Sequence, residues 1–115
     1  MLPTSIIGKK YEKMAELYLK QNKYKILATN FLAPCGEIDI IAIDKSDKYI
    51  VFVEVKYRTS GLYGAPTEAI NKEKIRKIKL TSQVFLKLKG WLNKSFRYDI
   101  VEILDEQIRL IKNAF

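Results

Sequence analysis

One segment, residues 36–58, constrains the fold most, because it contains two runs of alternating residues around a short polar connection. Side chains of a β-strand point alternately to its two faces, so the segment is predicted to be a hairpin of two strands. The first strand is predicted to have one face with Glu37, Asp39, Ile41 and Ile43, and another with Ile38, Ile40 and Ala42. The second is predicted to have a core face with Val51, Val53, Val55 and Tyr57, and an opposite face with Ile50, Phe52, Glu54, Lys56 and Arg58.

The register of this hairpin brings acidic side chains together. Pairing Ile43 with Ile50 keeps apolar residues opposite apolar residues, and it sets Asp39 opposite Glu54. Two carboxylates roughly 5 Å apart repel each other, which raises the pKa of one of them unless a cation relieves the repulsion. Oxygen ligands suit a hard ion such as Mg²⁺, so this pattern favours a metal site.

The same charges have a plainer interpretation as surface residues. The register sets Glu37 opposite Lys56, and such a cross-strand ion pair is worth only about 0.2–1 kcal/mol at a surface. Glu54 and Arg58 can likewise be solvated strand charges. Asp39 opposite Glu54 fits this interpretation poorly, because like charges directly opposite each other destabilise a sheet.

Length, charge and composition bound the function. At 115 residues the chain is predicted to form one domain, 1–115. Its net charge of +8 predicts attraction to polyanions such as nucleic acid, although a basic surface that serves only solubility would look the same. The sequence has no histidine, which excludes nucleases that use histidine and the usual zinc sites. Hydrolysis would therefore use carboxylates, lysine and a metal.

The sequence also bears on where the protein works. Cys35 is the single cysteine, which rules out an internal disulfide and fits a reducing compartment. No apolar run approaches the ~20 residues that span a bilayer, and the first residues lack the long apolar core of a signal peptide. We therefore expect a soluble cytoplasmic protein that does not associate with a membrane.

Two helices and three further strands are predicted around the hairpin. The helices cover about residues 6–21 and a range from Thr67 or Asn71 to Lys89, and the strands cover 23–31, 96–104 and 107–111. The second helix is predicted to bury Ile75, Ile78, Phe85 and Leu88, with Leu80 and Val84 at the edge. Strand 23–31 is predicted to have one face with Ile26, Ala28 and Asn30, and another with Leu27, Thr29 and Phe31. Since the crossover through the second helix allows a parallel pair, we expect an α/β fold with a mixed sheet flanked by helices.

Basic residues are concentrated near the second helix and are candidates for binding nucleic acid. They are Arg58, Lys72, Lys74, Arg76 and Lys79. A basic stripe of this kind is usually a solvated face, but it also has the charge density that contacts phosphates. The predicted loop over 59–66 comes directly after Arg58, at the charged end of the second hairpin strand. It is either a substrate-contacting loop or a plain connector.

Several segments together resemble a known family. GEIDIIA and FVEVKYR, with YEKMAELYL, YKILATNF, GAPTEAINKEKIRKI and FRYDIVEI, resemble the YraN-like family of small bacterial proteins. That family resembles the archaeal Holliday-junction resolvases of the PD-(D/E)xK, or restriction-endonuclease-like, superfamily. The resemblance covers nearly the whole chain and implies an αβββαβ core, in agreement with the predicted order of elements. The ExK triplet alone would be a weak signal.

The resemblance implies roles for residues of the hairpin. It implies that Asp39 and Glu54 bind Mg²⁺ or Mn²⁺ and that the Val55 carbonyl joins them. It implies that Lys56 positions or activates water and stabilises charge on the phosphorus.

The resemblance also implies a catalytic role for Glu12 of the first helix, as in the resolvase-like branch. The glycine that often precedes this glutamate is replaced here by Tyr11. The plain alternative for Glu12 is an ion pair with Lys9. Glu37, in the GEID motif, has a less defined role.

Two functions follow from these expectations. The first is a metal-dependent endonuclease acting on DNA, including branched or recombination intermediates, and the intact set of Asp39, Glu54 and Lys56 favours it. The second is a nucleic-acid-binding accessory protein with little or no catalysis. Resolvases act as dimers because a four-way junction has two-fold symmetry, so a homodimer is also an open expectation, although the sequence identifies no dimer surface.

Overall fold

The structure is a computed structural model that describes residues 4–58, 71–105 and 107–115. Its elements are α1 (Thr4–Gln21), β1 (Tyr24–Ala33), β2 (Gly36–Asp44), β3 (Ile50–Arg58), α2 (Lys72–Lys89), β4 (Phe96–Leu104) and β5 (Gln107–Ile111). The predicted order of helices and strands is confirmed, including the last edge strand. The loop predicted over 59–66 and a helix start at Thr67 lie outside the described residues.

The five strands form one mixed sheet in the order β1-β2-β3-β4-β5. β3 pairs with β4 in parallel, because α2 connects them as a crossover, and the other neighbours are antiparallel. The apolar residues Ile50 to Val53 of β3 are all buried, as expected for a central strand that is covered on both faces. The α/β fold with a mixed sheet is therefore confirmed.

The two helices cover opposite faces of the sheet. On the first face Tyr11, Ala15 and Leu19 of α1 pack with Val51 and Val53 of β3. On the second face residues of α2 pack with Ile50 and Phe52; these residues are Ile78, Phe85 and Leu86. The predicted alternation of β3 is confirmed, because its valines face α1 and its larger apolar residues face α2.

The buried stripe of α2 differs from the predicted one. Leu80 is 44% exposed and Leu88 is 72% exposed, so placing them at the core was wrong. Each follows a buried residue, Ile78 or Leu86, by two positions, and two positions rotate the side chain by about 200° around a helix. Neither α1 nor α2, over the described residues, has the length and apolar character needed to cross a membrane.

Irregularities in β1 and β2 change the predicted faces of these strands. The register shifts between Ile26 and Ala28, and the two residues pack on opposite faces of the sheet instead of sharing one. In β2, Ile38 packs on the α2 side and Ile40 on the α1 side, so their predicted common face was also wrong. The change of side occurs at Asp39.

The predicted register of the hairpin is confirmed along its apolar part. The β2–β3 ladder runs from Ile43–Ile50 to Ile40–Val53 and includes the predicted apolar pairs. Beyond this point β2 continues to pair with β1, and β3 continues to pair with β4. The two central strands therefore separate, and we call residues 36–39 of β2 and 54–58 of β3 the strand fork.

The strand fork changes how the charged residues meet. Asp39 and Glu54 were predicted to be direct partners, as were Glu37 and Lys56, but neither pair belongs to the β2–β3 ladder. The side chain of Asp39 fills the gap instead, because its carboxylate accepts the hydrogen bond from the Val55 N–H that a continued ladder would give to the β2 backbone.

The opposite end of the hairpin is closed by Arg97 of β4. Its guanidinium, which is 8% exposed, donates hydrogen bonds to Asp44 at 2.7 Å, to Asp99 at 3.0 Å and to Asp47. Burial disfavours the charge of Asp44, but hydrogen bonds from Ser46 and Arg97 outweigh burial and hold its pKa far below the usual range. These charge-assisted bonds tie the turn of the hairpin to β4.

Gly36 begins β2 and lies against Lys77 and Thr81 of α2. A Cβ atom at this position would lie 3.0 Å from Thr81 Oγ1 and 3.4 Å from Lys77 Cβ, and the φ angle of +156° is one that other residues rarely adopt. Glycine therefore sets the distance between α2 and the strand fork.

We predict that Gly36→Ala lowers the free energy of unfolding by about 1–3 kcal/mol, because the methyl group meets Thr81 and the backbone is strained. Gly90→Ala is the control: its φ angle is +73°, but nothing lies within 4 Å of the added atom, so it should cost less. Urea unfolding followed by circular dichroism measures both. Equal urea midpoints for the wild type and Gly36→Ala would contradict this account of the packing.

Candidate active site

Asp39 lies in the strand fork, where its side chain accepts a hydrogen bond that the backbone of β2 would accept in a continuous ladder. Its Oδ2 atom accepts a hydrogen bond of 2.8 Å from the backbone N–H of Val55. In an extended strand the N–H and C=O of one residue point toward the same neighbouring strand. The Val55 carbonyl therefore faces the same gap, so the structure brings Asp39 and the Val55 backbone together.

Glu54 is a buried acidic residue, and it lies beside Asp39. Its side chain is only 5% exposed, and one oxygen lies 2.5 Å from Lys74 Nζ. The charge of Asp39 raises the pKa of Glu54, and both residues line the same cleft, so the two carboxyl groups lie close together. Lys74 is a counter-charge of this acidic pair.

The pKa values of both carboxyl groups reflect this crowding. Burial raises the pKa of Glu54 to about 7, and the charge of Asp39 adds to the rise, while Lys74 opposes it. Burial also raises the pKa of Asp39, against the hydrogen bond from Val55 and the charge of Lys74. Two carboxyl groups in this situation favour sharing a proton, and a divalent cation between them would take the place of that proton.

Two further carboxylates, those of Glu12 and Glu37, lie near Asp39. Carboxylate oxygens of Glu12, Glu37 and Asp39 all lie within 4.8 Å of one another. Burial and the charges of Asp39 and Glu37 raise the pKa of Glu12. Glu12 belongs to α1, so the strand fork allows a residue from one face of the sheet to approach residues that face α2.

Asn30 of β1 connects two of these carboxylates and was not recognised from the sequence. With its amide nitrogen turned toward them, Asn30 donates hydrogen bonds to Glu12 at 2.9 Å and to Glu37 at 3.0 Å. Its φ angle of +51° is left-handed, a conformation that asparagine tolerates better than most residues. An asparagine within an apolar strand was the signal in the sequence.

Two clefts meet at Asp39, and each is named for the helix beside it. The α2 cleft, of about 440 Å³, is lined by Gly36, Glu37, Asp39, Glu54, Asn71, Glu73, Lys74, Lys77 and Ile78. The α1 cleft, of about 250 Å³, is lined by Lys9, Glu12, Lys13, Glu16, Thr29, Asn30, Asp39 and Ile40. The Asp39 carboxylate is thus reached from both faces of the sheet.

The structure separates the basic residues that were predicted to bind nucleic acid. Lys74 lies in the α2 cleft on Glu54. Arg76 and Lys79 line a different cleft, of about 440 Å³, with Phe96 and Tyr98. Arg76 makes two hydrogen bonds to Glu73, at 2.6 and 3.1 Å.

The remaining predicted residues lie at the edges of the site. Lys72 is exposed in the first turn of α2, and Arg58 ends β3. Lys56 follows Glu54 by two positions and is half-buried, and it stands beside Glu102 in the parallel ladder. Lys56 is not among the described residues that line the α1 or the α2 cleft.

Comparisons with known proteins identify the family. A family model described as "Uncharacterised protein family UPF0102" matches residues 11–103. A UPF0102 protein of Clostridium acetobutylicum is 46% identical over 110 residues, which cover 90% of this chain and 88% of that protein. A UPF0102 protein of Clostridium botulinum strain 657 is 46% identical over 116 residues, which cover 95% and 93%. These matches confirm the resemblance to the YraN-like family.

One solved structure is also similar, the EndoMS–dsDNA2 complex. The match has a TM-score of 0.42 and 18% sequence identity, and it covers 79% of this chain. The chain spans only 33% of the EndoMS chain.

The raised pKa of Glu54 predicts a pH-dependent stability. The unfolded chain releases this proton near the ordinary pKa of 4.5, whereas the folded protein holds it to about pH 7. The free energy of unfolding should therefore fall as the pH rises through this window, by roughly 3 kcal/mol, and level off above it. Urea unfolding in EDTA at pH 4.5, 6 and 8 measures the effect.

Glu54→Gln should weaken this pH dependence, because its amide does not titrate, while the raised pKa values of Asp39 and Glu12 leave a smaller slope of the same sign. Glu73→Gln is the control: Glu73 is an exposed acid of the same cleft, and its pKa is lowered by the hydrogen bond from Arg76. A slope in Glu54→Gln equal to that of the wild type would show that other groups cause it.

Proposed function

We propose that this chain, which belongs to the uncharacterised protein family UPF0102, is a metal-dependent endonuclease that hydrolyses phosphodiester bonds in DNA. The observation that carries the proposal is the convergence of Asp39, Glu54 and the Val55 backbone at the strand fork, beside a cleft that contains lysines. The YraN-like resemblance assigns metal binding to the same three positions. It also supports branched or recombination intermediates as the DNA substrate.

The donor atoms of the site fit a hard divalent cation. Asp39 and Glu54 offer carboxylate oxygens, and Val55 offers a carbonyl oxygen on the same side of β3. Glu12 and Glu37 add carboxylates next to Asp39. Oxygen donors favour Mg²⁺ or Mn²⁺ over softer metals. Asp39, Glu54 and Val55 would hold the ion, and their crowded negative charge would be neutralised.

The chemistry would be divided between the ion and the residues around it. A bound Mg²⁺ or Mn²⁺ would polarise the scissile phosphate and make water in the site more acidic. Lys56, on the same face of β3 as Glu54, would orient the attacking water and stabilise charge that develops on the phosphate oxygens. Glu12 would hold water on the α1 side of Asp39.

The basic residues would bind the nucleic acid backbone without reading its sequence. Lys74 and Lys77 supply positive charge within the α2 cleft, and Lys72, Arg76 and Lys79 supply it along the helix. Contacts of this kind position a duplex but carry no direct sequence information. The net charge of +8 would favour the encounter with DNA.

A cleavage assay tests the proposal directly. Purified protein is incubated with labelled linear, single-stranded, flapped and four-way DNA, in Mg²⁺, Mn²⁺ or EDTA. We expect cutting only with the metal. Asp39→Asn keeps an oxygen that accepts from Val55 N–H but loses the charge, so it should fold normally and cut at least about 100-fold more slowly. Lys56→Ala should lose cutting and keep DNA binding.

One outcome would favour the second function. If the wild type and Asp39→Asn both bind DNA and neither cuts it in Mg²⁺ or Mn²⁺, the protein is a nucleic-acid-binding accessory protein with a nuclease-like arrangement of residues. The endonuclease proposal would then be rejected.

The salt dependence of DNA binding tests the basic helix. If Arg76 and Lys79 each contact a phosphate, replacing both by alanine should reduce the slope of log K against log salt by about 2, since each contact contributes about 0.9. The matched control replaces Lys45 and Lys48, which are exposed in the turn at the far end of the hairpin. Fluorescence anisotropy measures both slopes. Equal slopes in the two variants would place the DNA elsewhere.

A further inference from the structure

Lys74 contacts the buried carboxylate of Glu54 with its ammonium group. Its Nζ atom lies 2.5 Å from Glu54 Oε1. Burial lowers the pKa of Lys74, but the hydrogen bond and charge of Glu54, together with the charges of Asp39 and Glu37, outweigh burial and raise it. Lys74 is therefore held as an ammonium ion by the same carboxylates that would hold a metal.

The two partners of this ion pair differ in their freedom to move. Glu54 is fixed in the central strand β3, and its side chain is 5% exposed, whereas that of Lys74 is 50% exposed. The backbone of Lys74 is anchored independently, because its N–H donates to the side chain of Asn71, which caps α2. The lysine side chain is long and flexible, so its ammonium group can leave Glu54 without movement of the helix.

We propose that the ammonium group of Lys74 competes with a divalent metal ion for the carboxylate of Glu54. The inference rests on the metal site of the proposed function. Lys74 neutralises Glu54 until a metal binds, and it is displaced when the metal arrives, since two cations cannot both stay in contact with one buried carboxyl group without strong repulsion. Lys74 thereby lowers the affinity of the site for metal.

The competition has a reciprocal consequence that can be measured. If Lys74 weakens metal binding, the metal must weaken the contact of Lys74 with Glu54 by the same factor. If Lys74 served only to stabilise the fold, replacing it would change the unfolding of the protein without raising the affinity for metal. The two roles are therefore distinguished by titration with metal.

Isothermal titration calorimetry with Mn²⁺ tests the proposal on the full chain. Lys74→Met removes the charge and keeps much of the apolar stem, so Mn²⁺ should bind between roughly 5- and 150-fold more tightly than to the wild type, the usual range for coupled sites. Two controls bracket this result. Lys74→Arg keeps the charge, and Lys87→Met removes an exposed charge from the last turn of α2, and both should bind Mn²⁺ about as the wild type does.

The titrations are run at pH 7 and pH 8 under argon, which keeps manganese in solution as Mn²⁺. Burial raises the pKa of Glu54, so protons compete with the metal more at the lower pH than at the higher one. A gain in affinity for Lys74→Met that is present at both pH values is due to the lost ammonium group. Urea unfolding of each variant confirms that it is folded.

A second measurement follows the lysine itself. Labelling with an amine-reactive acylating reagent, followed by mass spectrometry, should show that Lys74 becomes more reactive when Mn²⁺ is added, while Lys48 in the hairpin turn does not change. Equal reactivity of Lys74 with and without bound metal would overturn the proposal.

The outcomes separate this inference from the proposed function. Tighter binding of Mn²⁺ by Lys74→Met alone supports the competition. Equal binding by the wild type and Lys74→Met overturns the competition and leaves the metal site intact. If neither protein binds Mn²⁺, both the competition and the metal-dependent nuclease are rejected.

Discussion

The separation of β2 from β3 after the Ile40–Val53 pair determines the rest of the site. A continuous hairpin would use the backbone of β2 to satisfy the N–H of Val55, and the carboxylate of Asp39 takes over that bond at 2.8 Å. An acidic side chain is thereby fixed within the sheet, where carboxylates are normally costly. The same gap admits Glu12 from α1. Side chains from both faces of the sheet therefore meet at the carboxylate of Asp39.

The two ends of the hairpin deal with buried charge in different ways. At the turn, Arg97 is hydrogen-bonded to three aspartates, and the pKa of Asp44 is held low although the residue is buried. At the strand fork, burial and the charge of Asp39 outweigh the contact with Lys74, and the pKa of Glu54 is raised. The buried charges at the turn are balanced by opposite charges, whereas the carboxylates at the strand fork repel each other. Unfavourable electrostatics of this kind are typical of functional sites.

Much of this arrangement could be predicted from periodicity and register. The order of the elements, the apolar hairpin pairs and the proximity of Asp39 to Glu54 follow from alternating side chains and from pairing like with like. The opening of the sheet could not be predicted, because alternation gives the register of two strands but not the residue at which they stop pairing. The contact of Lys74 with Glu54 depends on how closely α2 approaches at Gly36, which a sequence pattern does not give. The alternation of side chains between the two faces fails at Asp39 and around Asn30, where the backbone departs from regular strand geometry.

The central claim is that a divalent cation binds at the strand fork. It is tested most directly by growing crystals in Mn²⁺ and collecting anomalous diffraction data, which locate the metal without reference to activity. We expect an anomalous peak in contact with the carboxylates of Asp39 and Glu54, and no such peak in crystals of Asp39→Asn. No peak at the strand fork, or a peak that persists in Asp39→Asn, would contradict it.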